Sequence, residues 1–258
     1  MPVDSVRRWP KRWDIPFENP KGGYTVSAYD NISTPWGSTH EESIKTLLKS
    51  ELVSGMYIWT GFDYLGEPTP YSWPARSSYF GIIDLSGLLK DVYYLYQSIF
   101  TTKPVLHIYP HWNWKQGDTV DIVSYYKNAD EVELFLNGKS LGIKSKKNDN
   151  LHISLRVHYA AGTLKAVSRK NGKLVLSKEI KTAGIAAKII LKADRNIIHA
   201  DGKDLCFVTA TLVDKDGVTV PTANNLINFK VNGAGFISGV DSGDSLSHES
   251  FKANKHTA

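Results

Sequence analysis

The chain has 258 residues, enough to bury a sizeable core in one large domain or in two to three small ones. Its 41% hydrophobic and 22% charged residues are ordinary for a globular protein, and the net charge of +5 is spread along the chain. The single cysteine, Cys206, excludes an internal disulfide framework, and no run approaches the roughly 18–20 apolar residues of a membrane-spanning helix.

The N-terminal MPVDSVRRWPKRW has no apolar core of the kind a signal peptide carries. Its run RRWPKRW (7–13) alternates bases with Trp, as single-strand nucleic-acid platforms do. No fold signature accompanies it, so it reads as a solvated loop, as does KSKK at 144–147, and no nucleic-acid partner is expected. Cys206, inside LCFVTATLV, reads as a small buried hydrophobe.

The first region, 1–103, mixes helix and strand. Ser38 and Glu41 in STHEE have the spacing of a capping box. The helix that follows places Ile44, Leu47, Leu48 and Leu52 on one face. LVSGMYIWT and YFGIIDL are strand candidates, and LLKDVYYLYQSIF sets Leu89, Val92, Tyr93, Tyr96 and Phe100 on one helical stripe. Helix, strand, loop, strand, helix is the alternation of a parallel sheet, but it gives only about two units where a closed eight-fold barrel needs about 250 residues.

The second region, 104–182, is rich in strands: VLHIYP, TVDIVSYY, EVELFL, HISLRVHY, TLKAVSRK and LVLSKEIK. Asn137-Gly138 and Asn171-Gly172 are hairpin signals, since both residues tolerate the positive φ of a type I′ turn. A small β-sandwich is predicted. The third region, 183–258, repeats the style with AAKIILKA, DLCFVTATLVD, NLINFKV and GFISGV, and reads as an immunoglobulin-like sandwich that lacks its closing strand. Ala183-Gly184 forms a short linker. The fold class is therefore multidomain, α/β followed by all-β.

Chemistry concentrates in GMYIWTGFDYLGEPTPY, 55–71. Trp59 ends the apolar run, and Asp63, Tyr64 and Glu67 follow in the loop. An aromatic face beside carboxylates is what a sugar site uses, because the ring stacks on the apolar face of a pyranose while acids bind hydroxyls. The competing reading is a Trp that caps a core beside a surface loop shaped by prolines. Asp63 and Glu67 also stand as a candidate pair for glycoside hydrolysis, which needs two carboxyl groups about 5–5.5 Å apart if retaining. His40, His107 and His111 lack metal-ligand spacing, Asp214-Lys215-Asp216-Gly217 reads better as a hairpin turn than a calcium loop, and no metal or other cofactor is expected.

The run Trp-Thr-Gly-Phe-Asp-Tyr-x-Gly-Glu-Pro, with RSSYFGIIDLSGLLKDVYYLYQS, the PHWNW marker and ADRNIIHADGKDLCFVTATLVDKDG, closely resembles the C-terminal part of β-galactosidases of glycoside hydrolase family 2. The resemblance spans nearly the whole chain. It implies the last units of a (β/α)8 catalytic barrel over 1–103, a β-sandwich over 104–182, and an immunoglobulin-like sandwich, truncated, over 183–258. It also implies that Trp59 is the hydrophobic platform for galactose, with Asp63, Tyr64 and Glu67 at the rim of the same pocket.

Both catalytic glutamates of the family belong to barrel strands upstream of the match. Glu18, Glu41, Glu42 and Glu51 stand in neither motif, so no catalytic residue is assigned and both are expected upstream of Met1. The family's sodium site is not carried over, because Ser77-Ser78-Tyr79-Phe80-Gly81 has no Asn. The implied partner is a β-galactoside or oligosaccharide substrate, with self-association through exposed barrel edges and, by analogy with relatives, a periplasmic or secreted bacterial location. The alternative is a non-catalytic carbohydrate-binding or adhesion module in which Trp112 and Trp114 stack on sugar. Against it stands packing of those two residues at the barrel–sandwich interface.

Overall fold

The computed structural model describes Asp30, residues 37–68 and residues 73–257. RRWPKRW and Glu18 lie outside them.

Helix α1 (His40–Lys49) is opened by a capping box one residue later than its spacing predicts. Thr39 accepts from the Glu42 amide, and the Glu42 carboxylate accepts from the Thr39 amide at 3.0 Å. Glu41 is not free to reach back, because its carboxylate takes the Leu151 amide at 3.0 Å, His152 Nδ1 at 2.5 Å and Lys45 Nζ at 2.8 Å. Of the apolar face predicted for this helix only Ile44 is buried, and Leu52 lies beyond the helix end.

The strand candidates at 52–60 and 79–85 form extended segments joined by isolated bridges rather than a regular ladder. Phe62 pairs with Ile83 in parallel, supported by Thr60 N–H to Phe80 O, Ile82 N–H to Thr60 O and Asp63 N–H to Ile83 O. Period-two burial survives here: Met56 and Ile58 pack inward while Tyr57 and Trp59 point out.

Helix α2 (Asp91–Phe100) buries Val92, Leu95 and Ser98, and Phe100 is exposed. The predicted stripe is therefore turned by about one position. A serine masks the true face, and it is tolerated there because its hydroxyl donates to the Leu95 carbonyl at 2.8 Å.

Seven strands make the second region: β1 (Val105–Tyr109), β2 (Thr119–Lys127), β3 (Glu131–Leu136), β4 (Lys139–Lys144), β5 (Ile153–His158), β6 (Thr163–Lys170) and β7 (Lys173–Lys181). They form a three-stranded antiparallel sheet, β1-β2-β5, and a four-stranded one, β4-β3-β6-β7. Ile108, Val120, Ile122 and Tyr126 of the first meet Val132, Leu134, Leu164 and Ala166 of the second in one core, giving the β-sandwich. Asn137-Gly138 and Asn171-Gly172 turn their hairpins with positive φ at all four residues. Strand β4 has no signal in the sequence because it is an edge with nearly every side chain in solvent.

Strand β2 is buried on both faces and has a double role. Val120, Ile122 and Tyr126 enter the sandwich core, whereas Val123 and Tyr125 join a second core with Ile44, Ile82, Val92, Leu95 and Tyr109. The helical region and the sandwich therefore share a wall. The Tyr109 and Tyr125 hydroxyls meet inside it at 2.7 Å. The loop KSKK is only partly solvated: Lys146 lies 4.4 Å from the Tyr126 ring centroid, and burial lowers its pKa to about 8.

In the third region β8 (Lys188–Ala193) pairs with β9 (Val208–Val213), and β10 (Leu226–Asn228) with β11 (Lys255–Thr257). Among the described residues these are two two-stranded sheets. GFISGV forms no strand, and β11 arises in the polar tail. Cys206 precedes β9 half-buried, with its thiol toward the Arg195 carbonyl. The Asp214 turn is a hairpin turn: its carboxylate accepts from the Asp216 and Val218 amides at 2.9 Å. The linker is fixed on both sides, with Asn113 exchanging two hydrogen bonds with the Ala183 backbone and Asp214 accepting from the Gly184 amide.

Candidate functional site

Trp59 ends its extended segment with 71% of its surface exposed, and the Trp59–Thr60 peptide is cis. The indole does not cap a core. Its Nε1–H donates to the Tyr64 hydroxyl at 3.0 Å, and the Tyr64 hydroxyl donates to Glu67. The two rings meet edge to face at 6.1 Å. Indole, phenol and carboxylate form one donor chain, in which each bond polarises the next and fixes the indole's rotation. Partial desolvation and the bond to Glu67 push the Tyr64 phenol above its ordinary pKa, so it stays protonated and able to donate.

The hairpin carrying these groups is itself fixed. Tyr64 N–H donates to Ser78 Oγ at 3.0 Å, Ser78 N–H to Tyr64 O at 2.8 Å, and Gly66 N–H to Arg76 O at 2.7 Å. Glu67 has φ of 46° and follows Gly66 at 99°, a left-handed corner that turns the carboxylate back to Tyr64.

Asp63 takes a different place from its neighbours in sequence. Its side chain is 6% exposed and pairs with Lys90 Nζ at 2.7 Å, while its other oxygen accepts from the Gly81 amide at 2.7 Å. Burial raises its pKa, opposed by Lys90 and the Gly81 amide. Asp63 and Glu67 thus face different surroundings and do not form a pair across one bond. Lys90 and Gly81 are the members that sequence reading missed. Gly81 leaves no room for a side chain, since a Cβ there would stand 2.1 Å from the Asp63 nitrogen.

The other candidates separate. His40 Nδ1 meets the Tyr96 hydroxyl at 2.7 Å, His107 bonds Asp91 at 2.6 Å and stacks on Tyr94, and His111 stacks on Trp114. Trp112 is 1% exposed in the sandwich core, with Nε1 donating to the Ala160 carbonyl at 3.0 Å. Trp114 packs against the same core and donates to the His111 carbonyl. Trp112 therefore belongs to the interior of the sandwich, and Trp114 lies half-buried against that core, stacked on His111.

The profile of glycoside hydrolase family 2 C-terminal domain 5 matches residues 189–258, and that of a domain of unknown function, DUF4982, matches 117–176. A β-galactosidase from Bacteroides ovatus is 56% identical over 258 residues, all of this chain and 30% of that protein. The chain belongs to glycoside hydrolase family 2. The crystal structure of a β-glycosidase from Bacteroides vulgatus superimposes with a TM-score of 0.85 at 32% identity, covering 92% of this chain and 30% of the other. A family 2 member from Bacteroides cellulosilyticus superimposes with a TM-score of 0.73 at 34% identity, over 84% of this chain and 31% of its own. The chain thus spans about a third of the length of these family 2 relatives, matching their C-terminal part. No helix among the described residues is long and apolar enough to cross a membrane.

Proposed function

We propose that the chain is the C-terminal portion of a retaining β-galactosidase that hydrolyses terminal β-D-galactosides. The observation that carries the reading is the exposed Trp59 indole, held by Tyr64 and Glu67 on a braced hairpin. A free, oriented indole face accepts the apolar face of a pyranose, and the spare lone pairs of Glu67 accept hydroxyl protons. Asp63 sets the hairpin's height through Lys90 and Gly81 instead of meeting sugar. Residues 1–103 are read as the last units of the (β/α)8 barrel, 104–182 as the sandwich, and 183–258 as a further, immunoglobulin-like domain.

In a retaining reaction one carboxylate attacks the anomeric carbon while a second carboxyl protonates the leaving oxygen. Water then releases the sugar from the glycosyl-enzyme. Both glutamates are assigned to barrel strands upstream of Met1, and this chain supplies part of the sugar-binding wall. Barrel edges left uncovered favour self-association. A periplasmic or secreted location follows the relatives by analogy. The test is hydrolysis of a nitrophenyl β-galactoside by the 258-residue chain and by a chain extended upstream. Turnover is expected only in the longer chain, lost with Trp59→Ala; Trp59-dependent turnover by the 258 residues alone would overturn this assignment.

A further inference from the structure

A second aromatic stands on the same hairpin. The register Leu65↔Ser77, with Gly66 N–H on Arg76 O, sets Trp73 on the return arm beyond the level of Glu67, toward the hairpin's outer end. Trp73 is 75% exposed, and one side of its indole is backed by the His248 imidazole at a centroid distance of 4.3 Å and an angle of 49°. His248 comes from the far end of the chain. Its Nε2–H donates to the Pro74 carbonyl at 2.8 Å, so the ring is tied to the backbone beside the indole it braces.

The segment that delivers His248 is fitted to this rim. Ser245 O accepts from the Arg76 amide at 3.1 Å, and the Arg76 guanidinium lies 4.8 Å from the Phe251 ring centroid. Gly243, with φ of 77°, passes so close that a Cβ there would stand 2.6 Å from Asp84 Oδ2. A contact made only to attach the segment would gain most by burying the indole, the largest apolar surface available. Here the indole is braced and left open.

We propose that Trp73, backed by His248, is a second sugar platform that takes the neutral pyranose ring departing with the aglycone. This rests on the galactoside reading of Trp59. With the terminal sugar on the inner platform, the next ring of a β-linked oligosaccharide leads outward along the hairpin, and the outer indole meets it. The third region thereby contributes to leaving-group specificity through His248.

The test is a titration of the 258-residue chain with galactose and with lactose, following indole N–H resonances assigned by loss in Trp59→Ala and Trp73→Ala. Lactose is expected to shift both signals and galactose that of Trp59. Lactose should bind about tenfold tighter, the effect of covering half an indole face. Trp73→Ala removes that advantage and leaves galactose affinity unchanged, Trp73→Phe keeps most of it, and His248→Ala loses part. Equal affinity of the two sugars, or equal weakening of both by Trp73→Ala, overturns the outer platform while Trp59 keeps its role. Failure of either sugar to move the Trp59 signal removes the galactoside reading itself, and the outer platform with it.

Discussion

Lys90→Met isolates the Asp63 carboxylate in a site where both partners are nearly buried, at 13% and 6% side-chain exposure. At 2.7 Å the lost attraction is about 6 kcal/mol for an effective dielectric of about 20. The penalty has a ceiling, because the carboxyl escapes by taking a proton. From an ordinary value of 3.8, protonation costs about 4 kcal/mol at pH 7 and about 1.6 kcal/mol at pH 5. The variant's cost is therefore about 3–4 kcal/mol at neutral pH, in the range for a broken buried pair, and falls below about 2 kcal/mol at pH 5. Amide hydrogen exchange at Thr60, Asp63 and Ile82 reads the local opening of the hairpin base. Asp63→Asn/Lys90→Met, which leaves no charge and keeps an acceptor for the Gly81 amide, recovers most of the loss. A cost under about 1 kcal/mol, or one that does not change with pH, refutes a buried, charge-paired Asp63.

Gly81→Ala forces a methyl into the Asp63 backbone and should open the same base by about 1–3 kcal/mol, read by the same exchange. Trp112→Ala empties the sandwich core and should cost about 3–5 kcal/mol by urea denaturation, whereas a surface platform would cost almost nothing. Acid should loosen α1 from the β4–β5 loop. Burial opposes ionisation of Glu41, but His152, the Leu151 amide and Lys45 outweigh it and hold its pKa at about 2 against an ordinary 4.5. That stability is complete above pH 4.5 and is lost as pH falls toward 2, about 3 kcal/mol that Glu41→Gln should abolish. Between pH 4 and 6 two nearby groups offset one another. Burial lowers His40 to about 4, which removes stability as pH falls, and burial raises Asp30 to about 6, which removes it as pH rises. Thermal melts from pH 2 to 7 should therefore show one steep step below 4.5.

Strand content and hairpin turns in the second region were legible because Asn-Gly and two-residue alternation are local signals. Strand β2 was found as an apolar run, but its two loyalties were not, since which core receives each face depends on contacts far along the chain. Edge strand β4 and the Ser98 position in α2 fail for the converse reason: solvent exposure erases the pattern in one, and a satisfied hydroxyl disguises it in the other. In the site, Trp59, Tyr64 and Glu67 were marked by residue type at the end of an apolar run, and the structure brings them into one hydrogen-bonded chain. Asp63 carried the same signal and faces inward. Only the partners Lys90 and Gly81, at separations of 27 and 18 residues, distinguish it.

Trp59 is proposed as the floor of a galactose site. The most direct test is the affinity of the chain for galactose, read from the Trp59 indole resonance, beside a Trp59→Ala variant followed through the Tyr64 signals. Saturable binding that Trp59→Ala weakens at least about tenfold is the predicted result. Undiminished binding in the variant, or no binding by a folded wild-type chain, would contradict the account.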